Sequence, residues 1–502
     1  GGGVDSSQRF LFEYNQLISG GTLSTDLSVD SKFEEQNNNK WLSDASLITS
    51  YKKNINTKYS IDLQSALETS KNYIQSTNPN NNLSYTSSLA TTINLKGYNL
   101  RKIDDKLLIN FSTYQTNQND DDNSSVPTVL PFINYKSGIY KYNTIDYENK
   151  YEFYNIVRDK KTSDYSKEQQ KISHDLSFSK KYIDYNSNIT FEGQLFNQFY
   201  NTTKKSIKSN QTYSGNILRS FPIVGVKIDT PFKLKKNLFN LTYKPSLSFI
   251  LSPGKSNSEK ISNEDSSLHT YNANNEITLN RYSGSDKLDN SKRLVSSFTA
   301  NNDNLKMNLS QSYEFTDNSN FHKDSGNHEN LGNLLGSLNY NNINNIFEYN
   351  FRYDHSNKYL KQQNINYENT NSVGTIELSY LDQNSESDSV ITNDIETLNY
   401  KFSSKPIKRF SKIGLTGLYN LKSSINTEYG LNYAYFDECF GINVDFNRKS
   451  YTEDNLKPQD TLTIMFSFKN VGSYRSTNLA VSEYDKQDVS WESISIENDL
   501  FN

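Results

Sequence analysis

The sequence predicts an all-β fold, a large antiparallel barrel that crosses a membrane with strands. Three observations predict it. The first is period-two alternation. Phe347, Tyr349, Phe351 and Tyr353 alternate with Glu348, Asn350, Arg352 and Asp354, so apolar side chains share one face and polar ones the other. The second is composition. Only 34% of the 502 residues are hydrophobic, yet 36 are Tyr and 27 are Phe. A disordered chain is poor in aromatics, and a soluble sandwich of this length needs far more Leu, Ile and Val in its cores. A barrel with lipid outside and water inside needs one apolar face per strand, which reconciles a mean hydropathy of −0.80 with so many rings. The third is segment length. The alternating runs are roughly ten residues long, the span of a tilted strand across a bilayer.

The elements follow in order. Tyr59, Ile61 and Leu63 alternate with Ser60, Asp62 and Gln64 near the start. Towards the end, strands are expected at 398–404, 412–420, 427–436, 440–448 and 461–469. In the last of these, Leu462, Ile464, Phe466 and Phe468 alternate with Thr463, Met465, Ser467 and Lys469. KPIKRF and LKSSIN read as short turns, and Asp437, Glu438 and Cys439 form a hairpin tip. Bacterial barrels keep short turns in the periplasm and longer loops outside. Counting back from a periplasmic end of strand 461–469, the loop 449–460 is extracellular and the Cys439 tip periplasmic. NQNDDDNSS (117–125) and TDNSNFHKDSGNHENLG (316–332) read as outer loops. A barrel over 1–475 and a tail over 476–502 are expected.

Composition also excludes classes. A net charge of −4 gives no electrostatic case for nucleic acid. One cysteine leaves no internal disulfide and no multi-cysteine zinc site. The sequence holds no run of 18 apolar residues for a transmembrane helix. The opening GGGVDSSQRFLFEYN has neither a basic nor an apolar signal region, and reads as a piece of a longer precursor.

Candidate chemistry is sparse. NDDDN at 119–123 lacks the glycine and distal glutamate of an EF-hand loop and reads as a solvated loop. His322 and His328 share a polar loop without ligand spacing. No nucleophile-and-base, HExxH, Walker or GxGxxG arrangement occurs in usable context, so no enzyme, cofactor or metal is expected. The residues alone reach a transmembrane barrel and stop there.

Three stretches go further: KISNEDSSLHTYNANNEITLNRYSGSDKLDNSKRLVSS (260–297), the segment KPIKRFSKIGLTGLYNLKSSINTEYGLNYAYF running into Cys439, and TLTIMFSFKNVGSY (461–474). Together they resemble the C-terminal barrel of the LptD family of lipopolysaccharide-assembly proteins, in its alphaproteobacterial branch. LSQSYEFTD at 309–317 and the opening SSQRFLFEYN fit more loosely. The resemblance implies a periplasmic jellyroll that receives lipopolysaccharide, followed by a barrel of about 26 strands. It implies an LptE-like lipoprotein plug, a periplasmic Lpt bridge, folding by the barrel-assembly machinery and residence in the outer membrane of a Gram-negative bacterium. Sugars would cross the lumen while acyl chains leave through a lateral seam. The jellyroll and the first strands are expected to be missing here, which leaves strand 461–469, with Leu462, Ile464, Phe466 and Phe468, without its seam partner.

Particular residues follow from the same resemblance. Cys439 matches a position that is disulfide-linked to the N-terminal domain; the alternative is a free thiol packed at the bilayer edge. Asn263, Glu264 and Asp265 would line the saccharide path, or else form an Asx-rich structural turn. Tyr282, Ser283 and Gly284 carry the same pair of readings, with Gly284 serving a bend or bulge. A passive porin, a plugged receptor-type barrel and a soluble β-rich adhesin are the competing classes.

Overall fold

The computed structural model describes residues 8–34, 40–74, 83, 86–117, 122–207, 211–236, 239–255, 257–267, 273, 275–316, 318, 321, 330–387, 390–408, 410–437, 439–449, 459–468, 472–475 and 479–483. Residues 119–121 of the acidic run, His322, His328, Glu438, the loop 450–458 and the tail apart from 479–483 lie outside the described residues.

A single antiparallel sheet of 27 strands makes up nearly everything described. Neighbours in sequence are neighbours in space, from Gln8–Ile18 paired with Gly21–Glu34 to Phe440–Lys449 paired with Gln459–Phe468. Two short strands, Tyr140–Tyr142 and Phe232–Lys236, form small side hairpins. The connections differ by rim. Those at 69–87, 117–127, 158–167, 252–291 and 315–333 all leave one rim, and the short turns at 55–58, 185–186, 302–304, 342–344 and 371–373 leave the other. The Cys439 tip is on the short-turn rim.

Register turns local alternation into two continuous faces. One row runs Tyr340, Phe347, Tyr367, Leu378 and Tyr400 across five strands. One residue along, the opposite face runs Asn339, Glu348, Asn366, Ser379 and Asn399. The apolar face reaches the last long strand, where Phe446, Val444, Ile442 and Phe440 stand opposite Leu462, Ile464, Phe466 and Phe468. Gly336 stands opposite Phe351, whose ring lies where a Cβ would be, 2.0 Å from its position. That glycine lets the ring lie flat across its neighbour strand, a packing that sheets use repeatedly.

The sheet does not stop at 461–469. Gln459–Phe468 pairs on its far side with Gly472–Arg475 along one half and Leu479–Glu483 along the other. These strands cover the edge of Gln459–Phe468, and the second of them lies beyond residue 475, in the expected tail. Among the described residues, these last strands do not pair with Gln8–Ile18, so the sheet is open.

Candidate functional site

The inner face is not uniformly polar. Under the connection 252–291 it carries a buried apolar patch of Phe196, Phe221, Ile223, Ile250 and Val295. Leu279 and Leu288 of the connection bury themselves against it, with Ile277 alongside. This long connection is thus folded inward as an insert packed on the wall. Burying such side chains is worth about 1.5–3 kcal/mol each and holds the insert without specifying its exact seat.

Charge specifies the seat. Lys171, on strand Glu168–Asp184, is fully buried. Its Nζ donates to Glu152 Oε1 at 2.9 Å, Asp265 Oδ2 at 2.6 Å and Ser285 Oγ at 2.7 Å, and lies 3.0 Å from Asp286 Oδ1. Glu152 belongs to the wall strand Ile145–Val157, so Lys171 joins wall and insert. Asp286 also accepts from the Tyr154 hydroxyl at 2.9 Å, the Tyr200 hydroxyl at 3.0 Å and the Glu264 N–H at 2.8 Å. Burial pushes the Asp286 carboxyl up, to about 6, against the pull of Lys171. Burial acts the same way on Asp265, but there Lys171 and local donors prevail and hold it at about 2.

Two further clamps flank this centre. Arg158 grips Glu264 with both terminal nitrogens, at 3.0 and 2.7 Å. This bidentate fork is the strong geometry for a guanidinium and a carboxylate. Deeper in the insert, Arg281 Nε donates to Asp289 at 2.6 Å, and Arg293 Nη1 to the same carboxylate at 3.0 Å. Arg281 also bonds Glu314, on wall strand Leu305–Glu314. Arg281 and Arg293 are both fully buried. Arg219 from the wall donates to the Ser285 and Asp286 carbonyls at 2.5 and 2.9 Å.

The expected site residues take definite places in this arrangement. Glu264 and Asp265 meet Arg158 and Lys171, and Asn263 bonds Ser266 on both its backbone groups, an Asx-type turn. Gly284 is a point of close approach: a Cβ there would lie 2.3 Å from the Asp265 carbonyl oxygen. Tyr282 is buried and stacked on Phe321, with ring centroids 5.6 Å apart. Cys439 is an exposed free thiol. Asp437 Oδ1 accepts the N–H of Cys439 and of Phe440 at 2.9 and 2.8 Å, which fixes the hairpin tip. Lys171, Glu152 and Arg219 of the wall, and Arg158 just past the end of strand Ile145–Val157, carry no sequence motif. Their inward phase was legible, but what they would meet was not.

Beyond the insert the inner wall opens into a concavity of about 690 Å³. Glu348, Asn366, Ser379, Asn399, Lys401 and Glu428 line it. Carboxylates, amides, a hydroxyl and an ammonium make a water-compatible surface with donors and acceptors of both kinds.

A many-stranded antiparallel sheet with an aromatic outer face, a polar inner face and its long connections on one rim defines a large membrane-spanning β-barrel of the outer-membrane kind. A family model described as LptD, LPS transport system D, matches residues 43–425, and the chain belongs to that family. It is an outer-membrane lipopolysaccharide-transport protein of Gram-negative type. No curated protein matches the sequence.

Proposed function

We propose that the chain is the translocon barrel that inserts lipopolysaccharide into the outer leaflet. Sugars pass along the polar lumen, and acyl chains leave sideways through a seam at the last strands. The observation that carries this reading is the two-faced wall running up to Gln459–Phe468: Leu462, Ile464, Phe466 and Phe468 outward, with Thr463 buried on the other face. A lateral exit needs a strand pair that can part, and such a pair is weak where few backbone bonds close it. On that side Gln459–Phe468 is joined by Gly472–Arg475 and Leu479–Glu483, with a register shift between Asp460 and Thr461 that interrupts the ladder. Asn263, Glu264 and Asp265 act on the path by fixing the insert that bounds it. Cys439, at the short-turn rim, forms the disulfide that ties the barrel to a periplasmic receiving domain. In this reading an LptE-like lipoprotein sits in the lumen, the periplasmic Lpt bridge delivers the substrate, and the barrel-assembly machinery folds the protein.

The test is photo-crosslinking in cells. Benzoylphenylalanine at Asn399 samples the inner wall, and at Phe466 the seam. Lipopolysaccharide adducts at both positions are expected. A steady ion conductance with no adduct at either position would favour a porin and overturn the proposal.

A further inference from the structure

The short turns carry residues that turns rarely choose. Apices of tight turns favour Gly, Asn, Asp, Pro and Ser, each for a backbone reason. Here one aliphatic side chain after another stands out at the short-turn rim. Ile55 is 52% exposed, Ile103 77%, Ile139 54%, Ile183 80% and Ile343 99%. Single exposed aliphatics are ordinary; recurrence at the same level of successive hairpins is not. Tyrosines accompany them, with Tyr142 at 69% and Tyr185 at 96%.

Cations surround these side chains. Exposed Lys52 and Lys58 flank Ile55, and exposed Arg101 and Lys106 flank Ile103. Exposed Lys181 precedes Ile183, and exposed Lys405 and Lys408 bracket Ile407. The hairpin at Phe232 and Leu234 interleaves exposed Lys233 and Lys235. Some of the rim charge is answered locally: Lys136 pairs with Glu148 at 3.0 Å, and Lys141 lies 3.9 Å from Asp146. Asp104 and Asp184 are the exposed acids beside Ile103 and Ile183.

We infer that this rim is a binding surface for anionic phospholipid headgroups, engaged by the turn tips all along the sheet. The inference rests on the reading of the sheet as a membrane-spanning wall. An aliphatic or tyrosyl tip beside a lysine fits the headgroup boundary, where the apolar part enters the acyl edge and the ammonium meets phosphate. Distribution identifies the occupant. The pattern runs from the turn at 55–58 to that at 405–410, nearly the whole width of the sheet. A docked protein would cover one sector, whereas a leaflet touches every turn. Each cation that reaches the surface enriches anionic lipid locally by roughly fivefold.

The experiment uses the full chain refolded into nanodiscs, with its native Trp41 and Trp491 both changed to Phe and one reporter, Ile103→Trp or Ile343→Trp. Heat-modifiable migration verifies folding first. Brominated phosphatidylglycerol or brominated phosphatidylcholine is then the quencher, at equal mole fraction in an otherwise identical mixture. Stronger quenching by the anionic lipid is expected at Ile103→Trp, and adding Arg101→Gln with Lys106→Gln should equalise the two lipids. Ile343→Trp, whose turn holds only asparagines beside it, should be quenched by both lipids alike. If neither lipid quenches either reporter, the tips stand in water or face protein and the inference fails, while the barrel reading survives. Quenching at Ile103→Trp that ignores lipid charge also overturns it.

Discussion

Replacing Lys171 by Met keeps most of the side-chain volume and removes the ammonium that Glu152, Asp265 and Asp286 share. Breaking a buried ion pair from one side costs about 3–5 kcal/mol, because the remaining charge stays buried. Three carboxylates lose their cation here, but each keeps other partners. Lys150 stays 2.8 Å from Glu152, Asp265 keeps the Ser266 hydroxyl at 2.6 Å, and Asp286 keeps both tyrosines. The lower end, about 3 kcal/mol, is therefore expected. The loss falls on docking of the insert, since the wall strands retain their backbone ladder. Local opening of the insert should rise about a hundredfold. Hydrogen exchange of peptides covering 261–267 and 283–291 reads this directly, with peptides from strand 187–207 as the internal control. If Lys171→Met leaves insert exchange at the wild-type rate while the strands stay protected, the ion-pair account of the insert is wrong.

Further outcomes follow from the same structure. Phe351→Arg places a charge on the lipid face and should cost about 2–4 kcal/mol in a urea titration in lipid, whereas Asn350→Leu on the inner face should cost much less. A reversed order would invert the assigned faces. Gly284→Ala must displace the Asp265 carbonyl, and should raise insert exchange as an overpacking defect of about 1–3 kcal/mol; unchanged exchange would deny the close approach. The pH response has two signs. Asp265, held at about 2, contributes stability that is present above the ordinary carboxylate range and lost as pH falls towards 2. Asp286, raised to about 6, acts oppositely, its burden easing as pH falls through 6. Insert exchange, corrected for intrinsic rates, should therefore hold or slow between pH 6 and about 4 and speed up below that; a steady rise from pH 7 downward would contradict the assignment. Finally, Cys439 in the full-length protein should resist maleimide until reduced, with Cys439→Ser abolishing the reductant-dependent gel shift. Free labelling without reductant would exclude the disulfide.

The strands were legible to within a residue or two where short turns bound them. The expected 412–420, 427–436, 440–448 and 461–469 appear as Ser411–Asn420, Ile425–Phe436, Phe440–Lys449 and Gln459–Phe468. The expected 398–404 ends correctly but begins eight residues earlier, as Val390–Ser404, because its first half, VITNDIET, is too polar to alternate strictly. Alternation gives such strands directly, because the pleat sorts side chains without help from distant parts of the chain. The insert was not legible, because its order comes from residues far away in sequence. Lys171 sits in a polar phase with Gln169, Ser173 and Asp175, which fixes its direction and nothing more. Phe196, Ile223 and Val295 break the rule of a polar lumen, a signal that something covers them. The tag NEDS marked one side of the contact, yet only the fold brings Arg158, 106 residues away, against Glu264. Continuation of the sheet past 469 was missed because Tyr474, Leu479, Ala480 and Val481 are too sparse and irregular among polar residues to show a period.

Lipopolysaccharide export is read at the cell surface. The measurement is pulse-labelling of newly made lipopolysaccharide, followed by its accessibility to an impermeant probe at the cell surface, while the protein is depleted. New lipopolysaccharide is expected to stop reaching the surface and to accumulate behind the outer membrane. Undiminished surface delivery throughout depletion would contradict it.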